Sequence, residues 1–232
     1  SAKYKNKKKK VNEPVTRVMD LHCYTVYQGV EKDWDLDKNK GAIDLRKMKK
    51  GNYLAQTFAL WTPPKGSYTY LTKLEKQFDR WMDEYDDEIG LATDGAQIVE
   101  LDEEGKLAAV LSIEGLRPLS GDLSRIPVLY SWGVRILGLN WWHSNEFSGS
   151  STDPDKEERT GLSEKGKEAV RMANELGMVI DVSHASDDTV RDVAALSEDP
   201  FIASHSCARA LRDHNRNLTD ELMELIAASG GV

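Results

Sequence analysis

The sequence has few cysteines, no long apolar run and, beyond its first ten residues, a shortage of positive charge. Its two cysteines, Cys23 and Cys207, cannot form the several crosslinks of a disulfide scaffold, and they leave the cellular compartment open. No run of about 18 or more apolar residues occurs, so no membrane-spanning helix is predicted. With 232 residues, of which 40% are hydrophobic, the chain is long enough for one large domain.

Charge is distributed unevenly along the chain. The net charge is −8, although the first ten residues, SAKYKNKKKK, contain six lysines. Taking these six positive charges away leaves −14 on the other 222 residues, and so acidic a body disfavours binding to nucleic acid. No apolar segment follows the lysines, so they do not form an intact signal peptide. We interpret residues 1–12 as a solvated tail and residues 13–232 as a single domain.

Short apolar segments alternate with amphipathic ones, which is typical of an α/β fold with a parallel sheet. We predict strands at 17–22, 53–61, 107–113, 133–139, 178–182 and 201–203. We predict helices at 68–88, 122–131, 163–176, 218–229 and after Asp187-Asp188, which would cap that helix. Ser163 and Gly177 are the expected caps of the helix 163–176.

Two further segments have less regular patterns. Residues 97–101 and 107–113, joined by a turn at 102–105, are interpreted as a hairpin. Residues 29–50 are interpreted as a loop with one helical turn. The strand–helix units number six, whereas a TIM-type (β/α) barrel has eight. We therefore expect a TIM-type (β/α) barrel that lacks the last strands.

Four predicted strands end in side chains that bind metal ions: His22, Glu114, His184 and His205. Each histidine alone is more often an ordinary hydrogen-bonded residue, but parallel strands bring their carboxyl ends to one face of a barrel. Imidazole and carboxylate ligands suit Zn²⁺, which lowers the pKa of bound water to about 7 and supplies hydroxide as a nucleophile. Glu114 has two carboxylate oxygens and is the candidate to bridge two ions. Glu114 and His22 are the candidate catalytic residues.

Other polar residues lie next to these candidates. Asp181, Ser183 and Ser204 are expected to fix the tautomers of the imidazoles. A basic cluster, Arg209, Arg212, His214 and Arg216, follows His205. The cluster is interpreted either as a solvated surface or as an anion site, and Arg216 is the preferred contact for a carboxylate. His143 follows two tryptophans, and we leave two interpretations open: an aromatic rim that packs a loop, or a wall of a substrate pocket.

Several longer segments resemble the membrane (renal) dipeptidase family of zinc peptidases. The resemblance extends from residue 20 to 232 and is strongest from 107 onward. The segments are GAIDLRKMKKGNYLAQTFALW at 41–61, IEG at 113–115, GVRILGLNW at 133–141, GLSEKGKEAVRMANELGMVIDVSHAS at 161–186, FIASHS at 201–206, ARALRDHNRN at 208–217 and GGV at 230–232.

The resemblance implies an amidohydrolase-like TIM barrel with a two-metal site that cleaves dipeptides carrying a free carboxylate. Carried over to this sequence, it makes Glu114 the bridging ligand and His184 and His205 the ligands of one zinc ion. His22 becomes a ligand of the other zinc ion, and Arg216 holds the carboxylate of the dipeptide. Trp141 stands where some relatives have a substrate-binding histidine, and His143 lies close by but out of register.

Two departures from the family pattern leave alternatives open. The family's His-x-Asp motif is His22-Cys23-Tyr24 here, and a phenol with a pKa near 10 is a poor zinc ligand. The sequence also ends before the family's last metal-binding aspartate. We therefore expect a metal-dependent dipeptidase, with a single-metal hydrolase or a non-catalytic peptide-binding protein as the alternative, or a natural protein that continues beyond this sequence. The open sheet edge leads us to expect self-association or such a continuation.

Overall fold

Parallel β-strands form the centre of the molecule. The structure is a computed structural model and describes residues 16–232, so the predicted tail at 1–12 lies outside the described residues. Its strands are β1 (Val18–Asp20), β2 (Tyr53–Trp61), β3 (Ile89–Leu91), β4 (Leu107–Glu114), β5 (Val134–Gly138) and β6 (Val179–Asp181).

The strands form one sheet in the order β1-β2-β4-β5-β6, and every pairing in it is parallel. β3 pairs with the first residues of β4, on the edge that β5 uses further along. The predicted strand at 201–203 is reduced to one parallel bridge, in which Ile202 pairs with Asp181 of β6. The sheet is an open, curled half-barrel, which confirms the predicted α/β fold class and its incomplete barrel.

Helices join the strands. They are α1 (Thr25–Lys32), α2 (Leu45–Lys50), α3 (Tyr68–Glu84), α4 (Gly95–Glu103), α5 (Arg125–Ser131), α6 (Glu164–Leu176), α7 (Asp187–Leu196) and α8 (Asp220–Ala228). The caps of α6 are those expected, because Ser163 accepts a hydrogen bond from Gly166 N and Gly177 adopts a left-handed conformation. None of the helices within residues 16–232 has both the length and the apolarity that crossing a membrane requires.

Three local predictions were wrong. The supposed hairpin is the helix α4, whose N-cap Asp94 accepts a hydrogen bond from Gln97 N, and its presumed turn is the end of that helix. The supposed loop at 29–50 contains the end of α1 and all of α2. The helix after His184 is capped by Ser186, which accepts from Thr189 N, rather than by Asp187 or Asp188.

Packing explains why α1 carries a glycine. A Cβ atom on Gly29 would lie 2.5 Å from the ring of Trp81 in α3, so only glycine lets the two helices approach this closely. Trp81 belongs to the main hydrophobic core together with Phe58 of β2 and Phe78 of α3.

The central strand β4 is buried along all of its residues. The carboxylate of its last residue, Glu114, is therefore buried. A buried charge is costly unless it has partners, so the neighbouring elements must supply them.

Candidate metal centre

The four residues expected to bind metal lie together at the carboxyl ends of the strands. Glu114 is the last residue of β4, and His22 and His184 follow β1 and β6. His205 follows the bridge that Ile202 makes with β6. The Glu114 side chain is 4% exposed and the most open of the three imidazoles, His205, is 26% exposed.

The two carboxylate oxygens of Glu114 face different histidines. Oε1 lies 2.9 Å from His184 Nε2 and 3.1 Å from His205 Nε2. Oε2 lies 3.6 Å from His22 Nε2. The carboxylate therefore stands between one pair of imidazoles and a third imidazole, which is the position of a bridging ligand.

The Oε1 side fits a zinc ion. The two nitrogens, His184 Nε2 and His205 Nε2, are 3.1 Å apart, so three ligand atoms form a nearly equilateral triangle with Glu114 Oε1. Ligands that bind one tetrahedral zinc at about 2.0–2.1 Å are about 3.3 Å from one another. The spacing on this side matches that requirement.

The Oε2 side has two polar atoms without partners. Glu114 Oε2 and His22 Nε2 are both buried, and neither has a hydrogen-bond partner among the described residues. Buried polar atoms normally have partners, and a cation would serve both of these. The ligand atoms of His22, Glu114 and His205 all lie within 4.8 Å of one another. This side therefore also fits a cation, although His205, one of its three candidate ligands, also belongs to the Oε1 triangle.

The electrostatics hold the ligands in the protonation states that bind metal. Burial lowers the pKa of His22 to about 4 and also lowers the pKa of His184, in each case against the influence of Glu114. Burial acts to raise the pKa of Glu114, but the contacts with the imidazoles of His184 and His205 outweigh it and leave that pKa below its ordinary value. Neutral imidazoles and an ionised carboxylate are the forms that a metal ion requires.

His184 has a strained backbone. Its φ is +72°, in the left-handed region that non-glycine residues rarely adopt. Its carbonyl accepts hydrogen bonds from Ser151 N at 2.9 Å and from Ser150 Oγ at 3.2 Å. Strain of this kind is retained where the surroundings fix a residue for a function. Sequence reasoning missed these two serines because they come from a loop more than 30 residues away.

The predicted partners of the imidazoles are only partly as expected. Ser204 Oγ contacts His205 Nδ1 at 2.8 Å and Asp181 Oδ2 at 2.5 Å. Ser183 Oγ contacts no imidazole and instead accepts from the backbone N–H of His205.

Arg216 lies beside the centre. Its guanidinium donates to Ser206 Oγ at 3.0 Å and to the carbonyl of His205 at 2.8 Å. Burial lowers its pKa, and within residues 16–232 no carboxylate lies close enough to form an ion pair with it. Arg209 of the same cluster is instead bound to Asp187 by two hydrogen bonds. Arg216 is therefore the arginine beside the centre that is available to an anion.

An aromatic wall adjoins Glu114. Trp61 pairs with Glu114 in the β2–β4 register, and its ring centroid lies 4.9 Å from that of Trp141. Trp141 and His143 line a small cavity of about 20 Å³ that also reaches Glu114. Of the two interpretations of His143, its position favours the pocket wall. Sequence reasoning missed Trp61, although its place at the end of a buried strand was a usable signal.

Tyr24 stands near the less complete side of the centre. Its ring lies edge-on to His22, with centroids 5.0 Å apart, and 5.4 Å from Trp61. Burial raises the pKa of the Tyr24 phenol, and Glu114 raises it further. The phenol therefore stays protonated at neutral pH and does not act as an anionic ligand.

The parallel half-barrel gathers three imidazoles and a carboxylate at the carboxyl ends of its strands, where proteins of the (β/α) barrel class carry their active sites. The profile of the membrane dipeptidase family, peptidase family M19, matches residues 7–232, and the chain belongs to this family.

The matches to individual relatives cover part of this chain and a smaller part of each relative. Dipeptidase verJ of Clonostachys rogersoniana is 33% identical over 151 residues, which are 65% of this chain and 39% of that protein. Dipeptidase 3 of Homo sapiens is 38% identical over 135 residues, 57% of this chain and 28% of that protein. The chain thus matches less than half the length of either relative.

Solved structures of other peptidases have a similar fold. The probable dipeptidase PvdM from Pseudomonas aeruginosa aligns with a TM-score of 0.78 and 32% identity, over 86% of this chain and 56% of that one. A metallo peptidase from Rhodobacter sphaeroides aligns with a TM-score of 0.83 over 93% of this chain and 72% of that one. Its identity of 22% establishes the fold alone.

The buried histidines predict how the metal-free chain responds to acid. The pKa of His22 is about 4 in the folded state and near 6.5 in the unfolded state, so the unfolded state binds more protons in between. Stability should therefore fall as the pH falls from 7 to 5, by on the order of 2 kcal/mol from this residue. Protonation of Glu114, whose pKa is lowered in the folded state, adds a further loss of stability below about pH 4.5.

Urea unfolding in the presence of a chelator at pH 7 and pH 5 measures this loss. A His22→Gln variant should lose less stability between the two pH values than the wild type. His143→Gln, at an exposed position, serves as the matched control. Equal losses in the wild type and in His22→Gln would contradict the assignment of His22 as a buried neutral imidazole.

Proposed function

We propose that this chain carries the metal centre of a zinc-dependent dipeptidase, which hydrolyses the peptide bond of dipeptides. The observation that carries the proposal is the convergence of Glu114 Oε1, His184 Nε2 and His205 Nε2 within 3.1 Å of one another, beside an arginine without a carboxylate partner among the described residues. The relatives support the choice of reaction, because those named above are called dipeptidases. The Rhodobacter sphaeroides metallo peptidase was solved with a phosphinate mimic of the dipeptide L-Ala-D-Ala.

Glu114, His184 and His205 would hold one zinc ion, and His22 with Glu114 Oε2 would hold a second one more weakly. Zinc in such a site polarises a peptide carbonyl and lowers the pKa of a water molecule to about 7. Glu114 keeps its negative charge at neutral pH because its pKa is lowered. The three imidazoles keep the carboxylate in place from three directions.

Arg216 would position the substrate. A dipeptide has a carboxylate one residue away from its scissile bond, so a substrate anchor must lie next to the reacting centre. Arg216 meets this requirement because its guanidinium is bonded to the carbonyl of His205. A guanidinium binds a carboxylate through two parallel hydrogen bonds. Trp141 and His143, which lie beside Glu114, would contact the rest of the dipeptide.

Tyr24 favours the alternative of a reduced centre. Apart from His205, which belongs to the Oε1 triangle, the Oε2 side has His22 and Glu114 as candidate ligands among the described residues, and the phenol next to His22 stays protonated. The Oε1 side has three protein ligands, the number typical of a catalytic zinc site. A hydrolase with one tightly bound metal ion, or a peptide-binding protein without turnover, is consistent with that difference.

Removing the charge of Arg216 should impair the hydrolysis of dipeptides selectively. We expect the zinc-loaded chain to release amino acids from a panel of L,L- and L,D-dipeptides, as measured by chromatography. Arg216→Met should lower kcat/KM by roughly 10–150-fold, since a hydrogen-bonded charge pair contributes about 1.5–3 kcal/mol. Dipeptide amides, which lack the carboxylate, should be affected far less.

Arg212→Met is the matched control, since Arg212 is an exposed arginine of the same cluster. If the zinc-loaded, folded wild type cleaves no dipeptide in the panel, the proposal of a dipeptidase is wrong. If Arg216→Met impairs dipeptides and their amides equally, Arg216 does not hold the carboxylate.

Restoring an aspartate at position 24 should complete the Oε2 side of the centre. After dialysis against zinc and then against metal-free buffer, we expect about one zinc ion per wild-type chain and about two per Tyr24→Asp chain, by elemental analysis. Tyr24→Phe should match the wild type, because it removes the hydroxyl without adding a ligand. Two zinc ions in both the wild type and Tyr24→Phe would contradict the reduced centre.

A further inference from the structure

We propose that Asp181 and Ser204 fix the tautomer of His205 and thereby present the lone pair of its Nε2 to a metal ion. They are positioning residues, since they act through His205. The inference rests on the metal centre proposed above.

The hydroxyl of Ser204 lies between two polar groups. Its Oγ is 2.5 Å from Asp181 Oδ2 and 2.8 Å from His205 Nδ1. A hydroxyl has one proton to donate, so it can donate to only one of these two groups. The direction of the chain of hydrogen bonds depends on which group receives that proton.

The carboxylate of Asp181 decides the direction. Asp181 is 6% exposed, and its Oδ1 accepts from the backbone N–H groups of Ser183 and Ser204, each at 3.0 Å. Its Oδ2 is thereby aimed at the Ser204 hydroxyl, and an ionised carboxylate has no proton to give. Ser204 must therefore donate its proton to Asp181.

His205 then has one tautomer available. Because the proton of Ser204 points to Asp181, the oxygen of Ser204 can only accept, and His205 must donate from Nδ1–H. Its Nε2 is left as a lone pair, 3.1 Å from Glu114 Oε1 and 3.1 Å from His184 Nε2. A lone pair and a carboxylate oxygen at this distance repel each other unless a cation or a proton lies between them.

This arrangement prepares the centre for a cation. In the opposite tautomer, Nε2–H of His205 would donate to Glu114 Oε1 and would occupy the direction that a metal ion needs. The hydrogen bonds of Asp181 and Ser204 disfavour that tautomer. His184 has no comparable support, because its Nδ1 is buried without a partner among the described residues.

Asp181→Asn tests the proposal because it keeps the shape of the side chain and reverses the direction of its hydrogen bond with Ser204. The two backbone N–H groups require an oxygen at Oδ1, so the new NH₂ group takes the place of Oδ2 and donates to Ser204. Ser204 must then donate to His205 Nδ1, which moves the imidazole proton to Nε2. We expect zinc affinity to fall by about 10–100-fold, the usual effect of losing such a partner.

Two measurements report the change. Nitrogen-15 NMR of the histidine rings in the metal-free chain should show Nδ1–H for His205 in the wild type and Nε2–H in Asp181→Asn. Competition with a chromogenic chelator gives the zinc affinity. Asp188→Asn, at an exposed position on α7, should leave both unchanged. Ser204→Thr, which keeps the hydroxyl, should retain the wild-type tautomer, and Ser204→Ala should lose the preference.

The outcomes separate this inference from the proposed function. If the wild type binds zinc and Asp181→Asn keeps both its affinity and its tautomer, the role of Asp181 is overturned. If the wild type has the Nδ1–H tautomer but binds no zinc, the dipeptidase centre fails while the assignment of the tautomer stands. Should Asp181→Asn not fold, the comparison of Ser204→Ala with Ser204→Thr decides, since equal tautomers and affinities in these two variants overturn the proposal.

Discussion

The buried negative charge of Glu114 is the constraint on which the rest of the structure depends. It ends β4, which is buried throughout its length, and its side chain is 4% exposed. A carboxylate in such a place destabilises the fold unless polar partners surround it. The partners come from the ends of β1 and β6 and from the segment that bridges to β6. The parallel topology of the sheet therefore also determines which side chains meet at the site.

The site is built from acceptors. The carboxylate is ionised, burial keeps His22 and His184 neutral, and the hydrogen bonds of Asp181 and Ser204 point the lone pair of His205 inward. The arginine at the edge of the site has no carboxylate partner among the described residues, so it is available to an anion from outside. Acceptors at the centre and a half-buried cation at the rim suit a ligand that brings an anionic end to a metal-loaded site.

Much of this architecture could be read from local sequence signals. The strand at 53–61 and the caps of α6 follow from apolar runs and cap residues, and the four candidate ligand positions follow from the ends of apolar segments. The helix α4 could not be read in this way, because none of its residues is buried and its apolar pattern carried no helical period. The pairing of Trp61 with Glu114 depends on the register between two strands, and the pairing of Arg209 with Asp187 depends on tertiary contact. Local patterns do not encode either one.

The central claim is that Glu114, His184 and His205 hold a zinc ion, and X-ray absorption at the zinc edge of the zinc-loaded chain tests it most directly. The account predicts nitrogen and oxygen ligands at about 2.0–2.1 Å, with the outer-shell scattering of two imidazoles, and the loss of one imidazole in His205→Ala. A sulfur ligand at about 2.3 Å, or a zinc ion whose spectrum is unchanged in His205→Ala, would contradict it.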